Sequence, residues 1–359
     1  METVKQPQFI ISYNGKDITS DISSGLLSVE YTDNTENQSD EIAITVEDTD
    51  ANWRGPWYPT KGDTLSLEFG YKGSALISAG NFKLDEIALS GPPDVVSIRG
   101  IAAGFNKAVR TRNSKAFENQ SLKQIADAVA KNHGFTVQGT IANVQFSRVT
   151  QNRENDLEFL RRIASEYGHI FSVRDSKLIF TNVNDIEKGK AVVSIDRTDL
   201  LSYSLRDKTS NVFKDAQVKY HDPKDKTVKE YKTSGNTNAD GEDVGDTTQE
   251  DTLEIRTKAE NKGQAEMKAK AALYHHNSRQ KEGTLVVSGN PLLVAGNNME
   301  LTGMGAVSGK YHITQSRHRI TKGSGYTTEV SVKRVGFVEK VKEKPKNVKH
   351  KKPKYRVIS

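Results

Sequence analysis

Apolar and polar residues alternate one for one through most of the first hundred positions, and that period decides what this part of the chain can form. Phe9–Tyr13, Leu26–Tyr31, Glu41–Glu47, Thr64–Gly70, Gly80–Leu89 and Val95–Gly100 each place every second side chain on one face, as half-buried strands do. Asn14 and Gly15 form a hairpin-turn pair, and Gly91, Pro92 and Pro93 interrupt the last two strands. Six short strands with tight turns predict a small barrel or sandwich over residues 1–105. Trp53 and Trp57, in the loop between the third and fourth strands, are expected to cover one end of it.

Over residues 106–197 the period lengthens toward 3.6. Ser121 and Gln124 open a capping box, Leu122, Ile125, Ala126 and Val129 share a helical face, and Gly134 offers the exit. A second helix follows the strand-like Gln145–Val149. Leu157, Leu160, Ile163, Ala164 and Tyr167 recur at helical spacing, leaving Glu158, Arg161, Arg162 and Glu166 for solvent. Asn152 or Asn155 can cap its start, and Gly168 its end. Ile170–Arg174 and Lys177–Thr181 then read as a hairpin, so this block is expected to be an α/β middle domain with two helices.

Strands return at Tyr203–Arg206 and Asp215–Tyr220, and again over Gly283–Gly303, Gly309–Ile320 and Tyr326–Arg334. Residues 198–220 and 283–337 are expected to make a second tube-like β-domain, with 221–282 an inserted loop and helix. The polar run Thr233–Asp246 reads as an exposed loop. The box Thr257–Glu260 is expected to start a helix that ends near Asn277, weakened by Gly263. Gly289, Gly296 and Gly303 are expected to serve turns that need positive φ. The fold class read from this pattern is mainly β with α+β insertions: two tube-like β-barrel or sandwich domains and the middle domain. A length of 359 residues suits two to four domains, and 35% hydrophobic residues leave much surface polar or shared with partners.

The net charge of +6 is concentrated at one end. Residues 339–359 hold nine basic residues against Glu339 and Glu343, which leaves the preceding 338 residues at −1. Lys340, Lys342, Lys344, Lys346, Lys349, Lys351, Lys352, Lys354 and Arg356 lie in a segment with two prolines and few apolar residues. Residues 338–359 are therefore expected to form an extended, partner-binding arm. An acidic protein surface is the favoured partner, since neither stacking aromatics nor a recognition helix accompanies the charge. Nucleic-acid phosphates are the other reading. The chain has no cysteine, which excludes disulfides and thiolate metal sites and fits assembly in a reducing cytoplasm. Neither a leader pattern at Met1 nor a membrane-length apolar run is found, so a product soluble when made, without membrane insertion, is expected.

Motifs that carry chemistry are thin. Gly303, Gly305 and Gly309 suggest a phosphate loop, but the third glycine is one place late and a strand, not a helix, follows. His312 and His318 share a strand face by parity but lack a third ligand at usable spacing. His275 and His276 fall on different helix faces and are expected at the surface. Glu47, Asp48 and Asp50 lack the calcium-loop pattern and read as a solvated turn. With no nucleophile elbow and no specified carboxylate pair, the expectation is a non-enzymatic protein without catalytic residues, metal or cofactor.

The helix and hairpin from Gln151 to Thr181 closely resemble a signature of the late control protein D family, the baseplate hub proteins of contractile-tailed phages and related contractile injection systems. Ser39–Glu41 before a strand, Trp53 to Trp57, and Lys61–Asp63 before the next strand follow the order typical of the first tube-like domain of such hubs. Gly289-Asn290-Pro291 with a later glycine, Gly309-Lys310-Tyr311-His312-Ile313, His318 and Gly325–Thr328 carry a second resemblance, which extends the match to residues 1 to about 337. The resemblance implies two β-domains that mimic two tube subunits, so that a homotrimer presents six and joins a sixfold tail tube to a threefold spike. It implies as partners a separate spike protein, the tail tube or a tube-initiator protein, and other baseplate proteins, with a tape-measure protein or DNA in the lumen. The place implied is the tail baseplate of the virion, assembled in the host bacterial cytoplasm. A tailocin hub would share every feature. The helix at Ser121–Ala126 is also similar to wall-binding LysM modules, which keeps a peptidoglycan-binding or peptidoglycan-hydrolysing tail protein as the alternative of another class.

Overall fold

The N-terminal alternation becomes seven strands. A computed structural model describes residues 5–35, 39–102, 111–174, 176–208, 210, 212–222, 227–234 and 252–335. In it β1 (Pro7–Tyr13) and β2 (Lys16–Asp17) precede a short helix α1 (Thr19–Ile22). There follow β3 (Leu26–Asn34), β4 (Glu41–Glu47), β5 (Thr64–Tyr71), β6 (Ile77–Ser90) and β7 (Val95–Ala102). Asn14 and Gly15 take φ of 48° and 82°, the positive pair that a two-residue hairpin turn requires. Ile11, Ile42, Ile44, Leu65, Leu67, Phe69 and Phe82 turn inward into one core. Trp53 packs on its margin and meets the Trp57 ring edge-on, whereas Trp57 itself stays exposed, so only the first tryptophan covers the core.

The middle block comprises β8 (Asn113–Ser121), α2 (Leu122–His133), β9 (Thr136–Gly139), β10 (Gln145–Glu154), α3 (Asp156–Glu166), β11 (His169–Arg174), β12 (Lys177–Asn182) and α4 (Val183–Lys188). Both long helices have reciprocal caps. The Ser121 hydroxyl accepts from Gln124 N at 3.1 Å while Gln124 Oε1 accepts from Ser121 N at 2.8 Å, and Asn155 and Glu158 repeat the exchange. Asn155 is thus the cap, and Asn152 belongs to β10. α3 buries more than the expected stripe: Phe159 is fully buried as well, its ring stacked on Phe117 at 5.2 Å. Its polar flank is not simply wet, because Glu154 and Glu166 grip Arg162.

The remainder forms β13 (Ala191–Asp196), β14 (Leu200–Asp207), β15 (Asp215–Asp222), β16 (Thr227–Ser234), β17 (Thr252–Arg256), α5 (Lys262–Asn277), β18 (Lys281–Ser288), β19 (Asn298–Thr302), β20 (Gly309–Thr321) and β21 (Gly325–Arg334). Two strands fall across the expected boundaries. β13, placed by sequence in the middle block, pairs parallel with β19. β15, placed with the second β-domain, pairs instead with β16 and β17, because Ala216, Val218 and Tyr220 pack against Ala265, Ala269 and Leu273 of α5. The expected helix start at Thr257 is also corrected. Asn261 caps α5, and Glu260 reaches across to accept from the backbone N–H groups of Ser147 and Arg148. Gly296 and Gly303 have φ of 94° and 71°, but Gly289 does not have positive φ. A Cβ there would lie 2.1 Å from the Tyr326 ring, so close approach rather than backbone hand requires glycine. Most of the polar run at 233–246 lies outside the described residues.

The fold is mainly β with helical insertions. β20 pairs with β3 from Gln315↔Asn34 to Thr321↔Ser28. This junction joins the two β-rich parts into one 13-stranded sheet, ordered β14-β18-β21-β20-β3-β4-β7-β6-β5-β1-β2 with β13 and β19 attached beside β20.

Candidate assembly interface

That strand order leaves unlike borders at β14 and β1, and a third at β13, which among the described residues pairs only with β19. Among the described residues β14 pairs only with β18, and β1 is flanked on its outer side only by the two-residue β2. A border strand presents unpaired N–H and C=O groups and is a template for another chain. The side chains of β14 suit association better than solvent: Leu201 is 60% and Tyr203 45% exposed. The Arg197 guanidinium lies 4.8 Å over the Tyr203 ring and helps hold it in place.

The strand junction is reinforced by a buried carboxylate. Asp33, near the end of β3, accepts from Arg174 Nη2 of β11 at 2.7 Å and from Ala295 N at 2.9 Å. It thereby ties the first β-rich part to the middle block and to the last strands at one point. Burial, opposed by the Arg174 charge, leaves its pKa above the ordinary carboxylate value. Tyr71 adds a second tie by donating its hydroxyl to the Gly289 carbonyl at 2.6 Å. Nothing in the sequence marks Asp33, since Thr32-Asp33-Asn34 reads as the polar end of a strand.

The residues weighed for metal or catalytic chemistry have structural roles. A bulge between Ile313 and Gln315 inserts Thr314 and reverses the parity of β20. His312 and His318, expected on one face, consequently lie on opposite ones. His312 Nδ1 is 2.9 Å from Asn298 Oδ1. His318 sits among Tyr31, Phe69 and Tyr326, with Nε2 3.0 Å from Ser316 Oγ and Nδ1 2.8 Å from the Tyr326 hydroxyl. Burial lowers His312 to about 3 and His318 to about 4, so both are neutral core groups near pH 7. Asp48 is not solvated as expected: it is buried, accepting from Trp53 N at 2.9 Å and Arg54 Nε at 3.0 Å. His276 is exposed, but His275 is half-buried, with Nε2 3.0 Å from Ser165 Oγ. The glycines at 303–309 surround a single 3₁₀ turn, Gly305–Val307, whose last carbonyl accepts from the Tyr311 hydroxyl at 2.7 Å. No group of three His, Asp or Glu placed to hold a metal occurs among the described residues. The basic residues Lys340, Lys342, Lys344, Lys346, Lys349, Lys351, Lys352, Lys354 and Arg356 lie outside the described residues.

The fold resembles that of a phage tail protein. The 43 kDa tail protein of prophage MuSo2 from Shewanella oneidensis superposes with a TM-score of 0.68 at 18% identity, covering 91% of this chain and 98% of that one. The family model for the phage tail baseplate hub (GPD) matches residues 97–324, well over half of the sequence, and the chain belongs to that family. Similar curated proteins are the probable baseplate hub proteins of Escherichia phage 186 and Escherichia phage P2. The first is 32% identical over 176 residues, covering 48% of this chain and 44% of the relative. The second is 31% identical over 199 residues, covering 54% and 51%. The match thus spans about half the length of these relatives. The family read from the helix and hairpin at 151–181 is borne out.

Proposed function

We propose that the protein is a structural, non-enzymatic hub in the tail baseplate of a virion or related contractile injection particle, where three copies close a ring between the tail tube and a central spike. Family membership supports the place in the tail. The observation that carries the ring is the single sheet with unlike borders at β14 and β1. Contact between unlike edges of successive copies is heterologous, and such contacts close into a ring when the rotation per copy divides a full turn. With two β-rich parts in each chain, three copies offer six similar faces to a sixfold tube and a threefold axis to a spike. In this reading the tube or a tube-initiator protein sits on one face and the spike on the other. Other baseplate proteins pack around the rim, and a tape-measure protein or DNA passes through the lumen. The basic arm fastens the ring to an acidic neighbour.

Imaging of intact particles tests this reading. Three copies at the junction of tube and spike are expected. Six copies there, or a location away from the tail axis, would overturn it.

A further inference from the structure

A cleft of about 510 Å³ opens between α3, the end of α5 and the segment after β14. Its charge is one-sided. Arg161, Lys208, His275, His276 and Arg279 line it, and the carboxylate among its lining residues, Glu282, is already engaged by Lys208 and Arg206. Arg161 Nε is buried and makes no hydrogen bond, an unusual state for a guanidinium nitrogen, which normally finds an acceptor. Among the described residues neither Arg161 nor Arg279 forms an ion pair within 4.0 Å, although the Glu158 charge on α3 acts on Arg161, whereas Arg162, one position along, is held by two carboxylates. Part of the basic character serves the carbonyl end of α5, where cations are favoured. Lys208 is taken up by Glu282, whereas Arg161 comes from another element and that role does not account for it.

We infer that this cleft is a docking site for an acidic peptide segment of another chain, with a carboxylate side chain inserted between Arg161 and Arg279. The volume fits one or two side chains rather than a duplex, and Phe171, the phenyl ring in the lining, is itself buried. Charge complementarity identifies the occupant: the planar guanidinium of exposed Arg279, with the Arg161 charge beside it in the same lining, fits a carboxylate. The inference does not depend on the ring, since it requires only a partner bearing clustered Asp or Glu.

The probe is a fluorescein-labelled octaglutamate peptide, followed by anisotropy against the full chain. Saturable binding that weakens with salt is expected, along with at least a tenfold loss of affinity in Arg279→Gln and in Arg161→Gln. Arg279 is exposed, so Arg279→Gln keeps the fold even if Arg161→Gln does not. Two controls separate the cleft from other basic residues: the Arg279→Gln loss should persist when Lys340, Lys342, Lys344, Lys346, Lys349, Lys351, Lys352, Lys354 and Arg356 are all replaced by glutamine, and Lys16→Gln with Lys72→Gln, a control pair at exposed lysines remote in sequence, should bind as the parent does. An equal loss in the control pair, or equal displacement by inorganic phosphate at the peptide's concentration, would overturn the inference. So would binding that appears only after deletion of residues 240–251, which carry six carboxylates and no basic residue, because the occupant would then be the chain's own.

Discussion

At the residue scale the histidines best display how context decides role. His312 and His318 are six positions apart, and only the extra residue at Thr314 puts them on opposite faces. No parity argument can find a bulge that leaves no turn signal. Their buried neutrality has a consequence for stability. The folded values, about 3 and about 4, lie below the 6.5 of a free imidazole, so the unfolded chain takes up protons first as pH falls. Their contribution is present above pH 6.5 and is lost as pH drops toward the folded values. Each histidine should cost about 1.4 kcal/mol per pH unit in that window, or about 2 kcal/mol between pH 6.5 and 5. Urea midpoints at pH 7 and pH 5 check this, and His318→Gln should remove its share of the difference. An unchanged pH dependence in that variant would mean that His318 is not buried neutral.

At the element scale α3 is the part most open to reading from sequence. Its stripe, its acidic first turn and the Asn155 cap are local, and local signals survive folding unchanged. Leu160 is fully buried, so Leu160→Asp places an unpaired charge in the core at a cost of roughly 4 kcal/mol or more. The expected outcome is loss of the cooperative melt, measured by circular dichroism. A variant that melts like the parent would remove α3 from the core. What could not be read was long-range. β15 alternates as well as any strand of the large sheet, and only the small face of α5, with Ala265 and Ala269 fully buried, selects it as a partner. The Thr257 box failed for a similar reason: Glu260 is used by β10, over a hundred residues away in sequence. The Asp33–Arg174 junction joins residues 141 apart, and the cleft is lined from three separate segments, so neither leaves a motif.

At the scale of the whole molecule the β3–β20 pairing does the organising, because it turns two β-rich parts into one sheet whose main path ends in unlike strands, β14 and β1 with β2. The basic run at 339–359 belongs to this scale too. Deletion of residues 339–359 should leave the melting curve of the body unchanged while lowering retention of the protein in assembled particles, and the retained fraction should fall with salt. If deletion abolished only DNA binding, with assembly intact, the arm would be a nucleic-acid tail.

If unlike borders of one sheet bring three copies into a ring, the ring should be visible in solution. Light scattering of the purified protein, alone and with the proposed spike partner, measures it. A particle of three 39.8 kDa chains is expected in at least one of those states, reduced toward a single chain by Leu201→Lys with Tyr203→Lys on β14. A single chain under both conditions, or a trimer indifferent to charges on that strand, would contradict it.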